Sequence, residues 1–251
     1  MCNRMKRFFP LFFGLFIFFT LEIILQHIDI PPYIIPLPSQ VVNAILSDWV
    51  IILQSTQVTA AQWIIGVFLA ILLSFLFSYG SFKYEFMEKL LNPLLITSQS
   101  IPYLVLSPLL MIWLGLGMAP KIVLVVLTCF FPIALVLQND LKTARQEYAS
   151  IVKILRIKEH KAFFNIYLPH TLPSFFNALK ISASYSFGSA ALAELMGSEK
   201  GLGIYLLRSQ ITFQTNKVIA AVIVIVTLSL TSAAIVSFIQ KKVVFWKIPK
   251  F

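Results

Sequence analysis

The chain has 251 residues, of which 59% are hydrophobic and only 12% charged, with a formal net charge of +10. Soluble domains carry roughly 25% charged residues, so a soluble fold built from this chain would have too little polar surface to face water. The basic excess is not interleaved with exposed aromatics on a polar domain, which sets nucleic acid aside as a partner.

A bilayer core about 30 Å thick is crossed by about 20 helical residues. Apolar runs at 8–25, 63–77, 104–116, 122–137 and 218–238 approach or reach that length. The expectation is an all-α integral membrane protein with about six transmembrane helices in a single transmembrane domain over residues 1–251. The helices are predicted near residues 8–26, 57–79, 91–114, 119–138, 172–196 and 217–239.

The first run follows Arg4, Lys6 and Arg7, and no small-x-small cleavage site comes after it, which predicts an uncleaved first span. Glu22 falls near its far end. The loop over residues 27–56 holds no Lys or Arg. Its prolines at 31, 32, 36 and 38 exclude regular helix there. Ser39 then predicts a cap for a short helix through Trp49, with Val42, Ile45 and Leu46 on the side lying along the membrane surface.

The third segment carries Pro93, Pro102 and Pro108, with Ser98, Gln99 and Ser100 just before Pro102. Prolines persist in membrane helices where neighbours satisfy the freed carbonyls, so this helix is expected inside the bundle. Its polar residues fit either an ordinary kink or a kink lining a translocation path.

Lys and Arg placement predicts the orientation. With the N-terminus inside, the inner segments collect fifteen of the 20 basic residues: Arg4, Lys6, Arg7, Lys83, Lys89, Lys142, Arg145, Lys153, Arg156, Lys158, Lys161, Lys241, Lys242, Lys247 and Lys250. Both termini are therefore expected in the cytoplasm.

The longest polar interruption, residues 140–173, then becomes a cytoplasmic loop. Ile151, Ile154 and Leu155 share one helical face, and Phe163, Phe164 and Ile166 form a second apolar cluster. Such an amphipathic pair serves equally as a rest on anionic membrane lipid or as a plug for a groove on a soluble partner.

In the fifth helix Lys180 is expected to snorkel towards the cytoplasm. Glu194 would cost on the order of 2.5–3.5 kcal/mol at mid-membrane and less near the interface. A hydrogen bond to the turn from Gly197 to Gly203 is its first reading, and solute contact its second.

Cys2, Cys129 and the three histidines show no ligand spacing, so neither a metal nor a cofactor is expected. No Gly-x-x-x-x-Gly-Lys-Ser/Thr occurs, so any ATP is handled by another chain. Catalytic residues are not expected either, since the helices lack the clustered His, Asp or Ser–Lys groups an intramembrane enzyme needs. A secondary transporter would bring paired intramembrane ionisable groups and an internal repeat, and neither is evident.

Several segments resemble a known family. Ile166-Tyr-Leu-Pro-His-Thr-Leu-Pro, followed by Asn177-Ala-Leu-Lys-Ile-Ser-Ala-Ser-Tyr, resembles the cytoplasmic loop of binding-protein-dependent ABC importer permeases. Ile34-Ile-Pro-Leu-Pro-Ser-Gln-Val and Ile101-Pro-Tyr-Leu-Val-Leu-Ser-Pro are similar to the nitrate, sulfonate and taurine branch. The resemblance covers about residues 31 to 240. It implies a bacterial inner-membrane permease working as a dimer of two copies, with a cytoplasmic ABC ATPase and an extracytoplasmic solute-binding protein.

It also implies that Ser150, Ile151, Ile154, Leu155, Arg156, Phe163, Phe164, Leu168 and Pro169 belong to an ATPase-coupling loop. Counting back from Pro169, the family's loop glycine falls on Arg156 and its first acidic residue on Ser150. A left-handed backbone at Arg156 would cost roughly 1–2 kcal/mol. The segment Gly201-Leu-Gly-Ile-Tyr-Leu-Leu-Arg-Ser-Gln-Ile-Thr-Phe resembles permeases for pyrimidine precursors of thiamine, which implies hydroxymethylpyrimidine or a relative as the solute. Sulfonate, taurine or nitrate is the alternative.

Overall fold

The computed structural model describes residues 16–28, 30–98 and 100–246, and all regular structure in them is helical. The expected first span lies partly outside the described residues, as do Arg4, Lys6, Arg7, Gln99, Lys247 and Lys250. Its described part is α1, Phe16–His27.

Helix α2 spans Pro38–Ser47. Pro38 opens it, where the missing N–H would have no helical partner anyway. Ser39 does not cap it, contrary to expectation. The Ser39 backbone N–H and hydroxyl both donate to the Glu22 carboxylate, at 3.0 and 2.6 Å, so α1 supplies the acceptor for α2. Val41, Ala44 and Ile45 pack inward on Ile219 and Ala220, while Val42 and Leu46 stay exposed.

Helix α3, Trp49–Lys83, is longer at both ends than predicted. The predicted helix over 91–114 is instead two, α4 at Glu85–Ser98 and α5 at Tyr103–Leu114. Pro102 explains the break: it lacks a donor and disfavours helix at the residue before it, and it takes φ −64° and ψ 120° ahead of α5.

Helix α6, Ala119–Ile154, does not stop near residue 138 as predicted but continues unbroken through the polar stretch. Residues 138–154 contain neither Gly nor Pro, and charge alone does not end a helix. Then come α7, Glu159–Ala162, a π-helical turn over Phe163–Tyr167, and α8, Leu168–Leu195. Helix α9, Leu202–Ile211, and helix α10, Thr215–Val243, complete the described chain.

The core forms where α6 lies between α3 and α8, around Val67, Val125, Cys129, Ile133, Leu137, Leu179 and Ala183. Gly66 permits the close approach of α3 and α6, since a Cβ there would meet Val125 at 2.5 Å. Trp63 stacks on Phe187 and donates its Nε1–H to the Ser186 hydroxyl at 2.8 Å, which pins α3 to α8. Among the described residues α3, α6 and α10 are long and apolar enough to cross a membrane. Helix α8 has the length, but serines at 182, 186 and 189 dilute its inward face.

Candidate functional site

The chain turns sharply after α6. Arg156 has φ +50°. The Ile157 N–H reaches back to the Val152 carbonyl at 3.0 Å, the long bond of a Schellman helix end. Val152 and Ile157 join the same apolar cluster, the contact that accompanies this motif. The arginine counted onto the glycine position therefore adopts the glycine conformation. Arg156→Gly is expected to stabilise the turn by up to about 1 kcal/mol, visible as a small rise in melting temperature.

Beyond the turn, Arg145 of α6 pairs with Glu159 of α7 at 2.9 Å. Phe163 is 4% exposed and packs edge-on against Tyr79 at 4.8 Å and against Phe82 at 5.0 Å. It therefore anchors the connection to α3 and does not project from it. Phe164 is 56% exposed. Ile154 and Leu155 are 78% and 63% exposed at the end of α6, with Ile151 and Ser150 exposed one turn earlier. Leu168 and Pro169 are half-buried in the first turn of α8. The loop thus presents an apolar knob on a fixed base.

A second cluster surrounds the end of α8. Glu194 is fully buried. It accepts from the Thr59 hydroxyl at 2.8 Å and from the Gly203 backbone N–H at 2.7 Å. Thr59 in turn accepts from the Leu202 N–H at 3.0 Å. Lys121 is buried in the first turn of α6. Gly203 is obligatory here, because a Cβ would meet the Ala191 carbonyl oxygen at 2.0 Å. Gly197 has φ +82° beside Leu116. Glu194 therefore clamps the turn into α9, as its first reading expected. Ser98 donates to the Leu95 carbonyl at 2.8 Å, and Pro102 is exposed; neither is hydrogen-bonded to this cluster among the described residues.

Sequence reasoning missed a third group. Asp48 sits between α2 and α3, where its carboxylate pairs with Lys217 at 2.8 Å and accepts from the Tyr205 hydroxyl at 3.0 Å. Burial acts to raise the Asp48 pKa, but Lys217 and Tyr205 outweigh it and hold the carboxyl below the usual aspartate range. Burial, with Asp48 alongside, pushes the Tyr205 hydroxyl upwards. Beside them opens a cleft of about 440 Å³ lined also by Ser55, Arg208 and Ser209. An acidic residue in a loop without Lys or Arg was the one available sequence signal.

The sign of the pH effect follows from the lowered Asp48 pKa. Its stabilisation is complete above the ordinary aspartate range near pH 4 and is lost as pH falls through the lowered value. Melting temperatures measured across acid pH should therefore drop more steeply for the wild type than for Asp48→Asn.

A family model described as binding-protein-dependent transport system inner membrane component matches residues 65–245. The chain belongs to this family. It is a multi-pass membrane protein and a permease subunit of an ABC importer. A probable ABC transporter permease protein of Haemophilus influenzae is 33% identical over 200 residues, covering 80% of this chain and 82% of that one. The formylaminopyrimidine transport permease protein ThiX of Halalkalibacterium halodurans is 29% identical over 217 residues, covering 86% and 87%. Permeases named for aliphatic sulfonates, taurine and nitrate also match, at 28% identity or lower. In fold the permease resembles a chain of the MetNI methionine ABC transporter, with a TM-score of 0.68 at 16% identity over 78% of this chain and 98% of that one.

Proposed function

We propose that this permease carries a thiamine-related pyrimidine inward, driven by ATP hydrolysis on a separate chain that docks at residues 140–173. The exposed apolar side chains of Ile151, Ile154 and Leu155 at the end of α6, with exposed Phe164 edge-on to the buried Phe163, carry the reading. An apolar projection on a firm base suits insertion into a groove of a soluble partner. ATP-driven closure of that partner would switch the permease between inward- and outward-open states.

The proposed arrangement is six spans in each of two identical copies, both termini in the cytoplasm, and a solute-binding protein on the opposite face. The pyrimidine assignment rests on the α9 pattern of Gly201, Gly203, Tyr205, Arg208, Ser209 and Phe213, together with the name of the Halalkalibacterium halodurans relative. Sulfonate, taurine and nitrate form the second reading, favoured by the relatives named for those solutes.

The test is uptake by cells expressing the permease with its ATPase and binding protein. Radiolabelled hydroxymethylpyrimidine is expected to accumulate, and excess taurine or nitrate to leave that uptake unchanged. Accumulation of sulfonate without pyrimidine would reverse the assignment.

A further inference from the structure

Buried hydroxyls on the long helices are returned to the backbone one turn earlier. Ser74 of α3 donates to the Ala70 carbonyl at 2.7 Å, and Thr128 of α6 to the Leu124 carbonyl at 2.8 Å. Ser78 and Ser81, further along α3, depart from this habit. Both are buried, and neither hydroxyl finds a partner among the described residues. Gln138 of α6 is only 6% exposed, and both ends of its amide are equally unpartnered. Unsatisfied buried polar groups are costly, and in native folds they commonly answer to a bound ion or water.

All three side chains line one cavity of about 50 Å³ between α3 and α6, with Phe82, Leu141, Lys142 and Arg145. The space exceeds the roughly 10–15 Å³ that a single water requires. Its serine and glutamine wall is buried, while Lys142 and Arg145 are exposed at its rim. Arg145 lies over the Phe82 ring, 4.9 Å from the centroid. One of its nitrogens goes to Glu159, and a guanidinium has five N–H groups to share.

The donors outnumber the acceptors. Two hydroxyls, the Gln138 NH₂ and the Arg145 guanidinium can all donate, whereas Gln138 Oε1 alone is confined to accepting. Two cationic side chains line the cavity and, among the described residues, no carboxylate does. Glu159, which offsets Arg145, lines the neighbouring cleft with Lys83 and His160. A water cluster asks for acceptors as much as donors; an oxyanion asks for donors only. The position along the helices fits as well. Gln138 directly follows the apolar run that ends at Leu137, and Ser81 lies two residues before Lys83 ends α3. Basic pockets between spans at this level take lipid phosphates.

We propose that this cavity binds a phosphate-type oxyanion, supplied by an anionic lipid headgroup or by inorganic phosphate, with Ser78, Ser81 and Gln138 as buried donors and Arg145 as the charged one. Bound there, the anion ties α3 to the stretch of α6 that runs on to Ile154 and Leu155, so its occupancy stiffens the rod beneath the exposed end of that helix.

The test follows the melting temperature of the full-length permease with its ATPase, purified in detergent. Phosphatidylglycerol and inorganic phosphate are added separately, with diacylglycerol, which lacks the phosphate, and sodium chloride at matched ionic strength as controls. A rise of about 5 °C at saturation is expected with a phosphate source and not with either control. A response to phosphatidylglycerol alone identifies the lipid headgroup, and a response to inorganic phosphate identifies the free anion. Gln138→Leu removes both unpartnered amide ends at similar volume, so without ligand it should be at least as stable as wild type. It should lose most of the phosphate-dependent rise, and so should Ser78→Ala combined with Ser81→Ala. An undiminished rise in both variants would overturn the site. So would an equal rise with diacylglycerol, or a wild type indifferent to both phosphate sources, which would leave the cavity to water.

Discussion

Ile154→Asp combined with Leu155→Asp is expected to abolish copurification of the ATPase while leaving the permease inserted and folded. Both side chains are mostly exposed at the end of α6, so two charges there cost little internal packing. The same charges would have to enter an apolar groove on the partner unpaired, where an uncompensated carboxylate costs several kcal/mol. Affinity should fall by about a hundredfold or more. Phe163→Ala should behave differently. It removes a buried ring from between Tyr79 and Phe82 and should destabilise the connection by about 3–5 kcal/mol. Melting curves in detergent separate the two effects. An ATPase that remains bound to the double aspartate variant, at wild-type stability, would remove the knob from the docking surface.

The second large effect is expected at Glu194. Glu194→Ala leaves the Gly203 N–H without its acceptor, takes one of two acceptors from the Thr59 hydroxyl, and empties the buried space the carboxyl side chain filled. Leaving a buried backbone donor unpaired and opening a cavity in this way costs about 3–5 kcal/mol together. For a chain of this size the melting temperature should fall by about 10 °C or more. Glu194→Gln should lie between, because its oxygen can serve one donor while its NH₂ opposes the other. Full stability in the alanine variant would mean that α8 and α9 are joined by other contacts. Loss of uptake without loss of stability would instead favour the solute-contact reading of this carboxylate.

The membrane-spanning helical character was legible because run length and missing charge are local properties. The strained turn was legible too: counting back from Pro169 put Arg156 at the glycine position, and its φ is +50°. Other features depend on information that the sequence does not carry locally. Polar residues 138–154 looked like a loop, yet a helix leaving a membrane keeps its hydrogen bonds and simply changes its side chains. Phe163 and Phe164 are neighbours of identical chemistry, yet the fold buries Phe163 between Tyr79 and Phe82 and leaves Phe164 mostly exposed. Thr59 and Glu194 stand 135 residues apart, and no pattern links a threonine to a distant carboxylate. The single helix expected over residues 91–114 failed because three prolines permit either a kink or a full break, and at Pro102 the chain breaks.

The unbroken run of α6 from Ala119 to Ile154 ties the buried core and the exposed knob to one rotational phase. Successive residues advance about 100° around a helix axis. One residue inserted between Leu141 and Ser150 would therefore swing Ile154 and Leu155 about a quarter-turn or more away from their heading, with every core contact above left in place. Four inserted residues would nearly restore that heading and lengthen the rod by about 6 Å. The exposed positions of this segment can therefore vary in composition while its length cannot, a constraint on insertions and deletions that substitution patterns alone would not reveal.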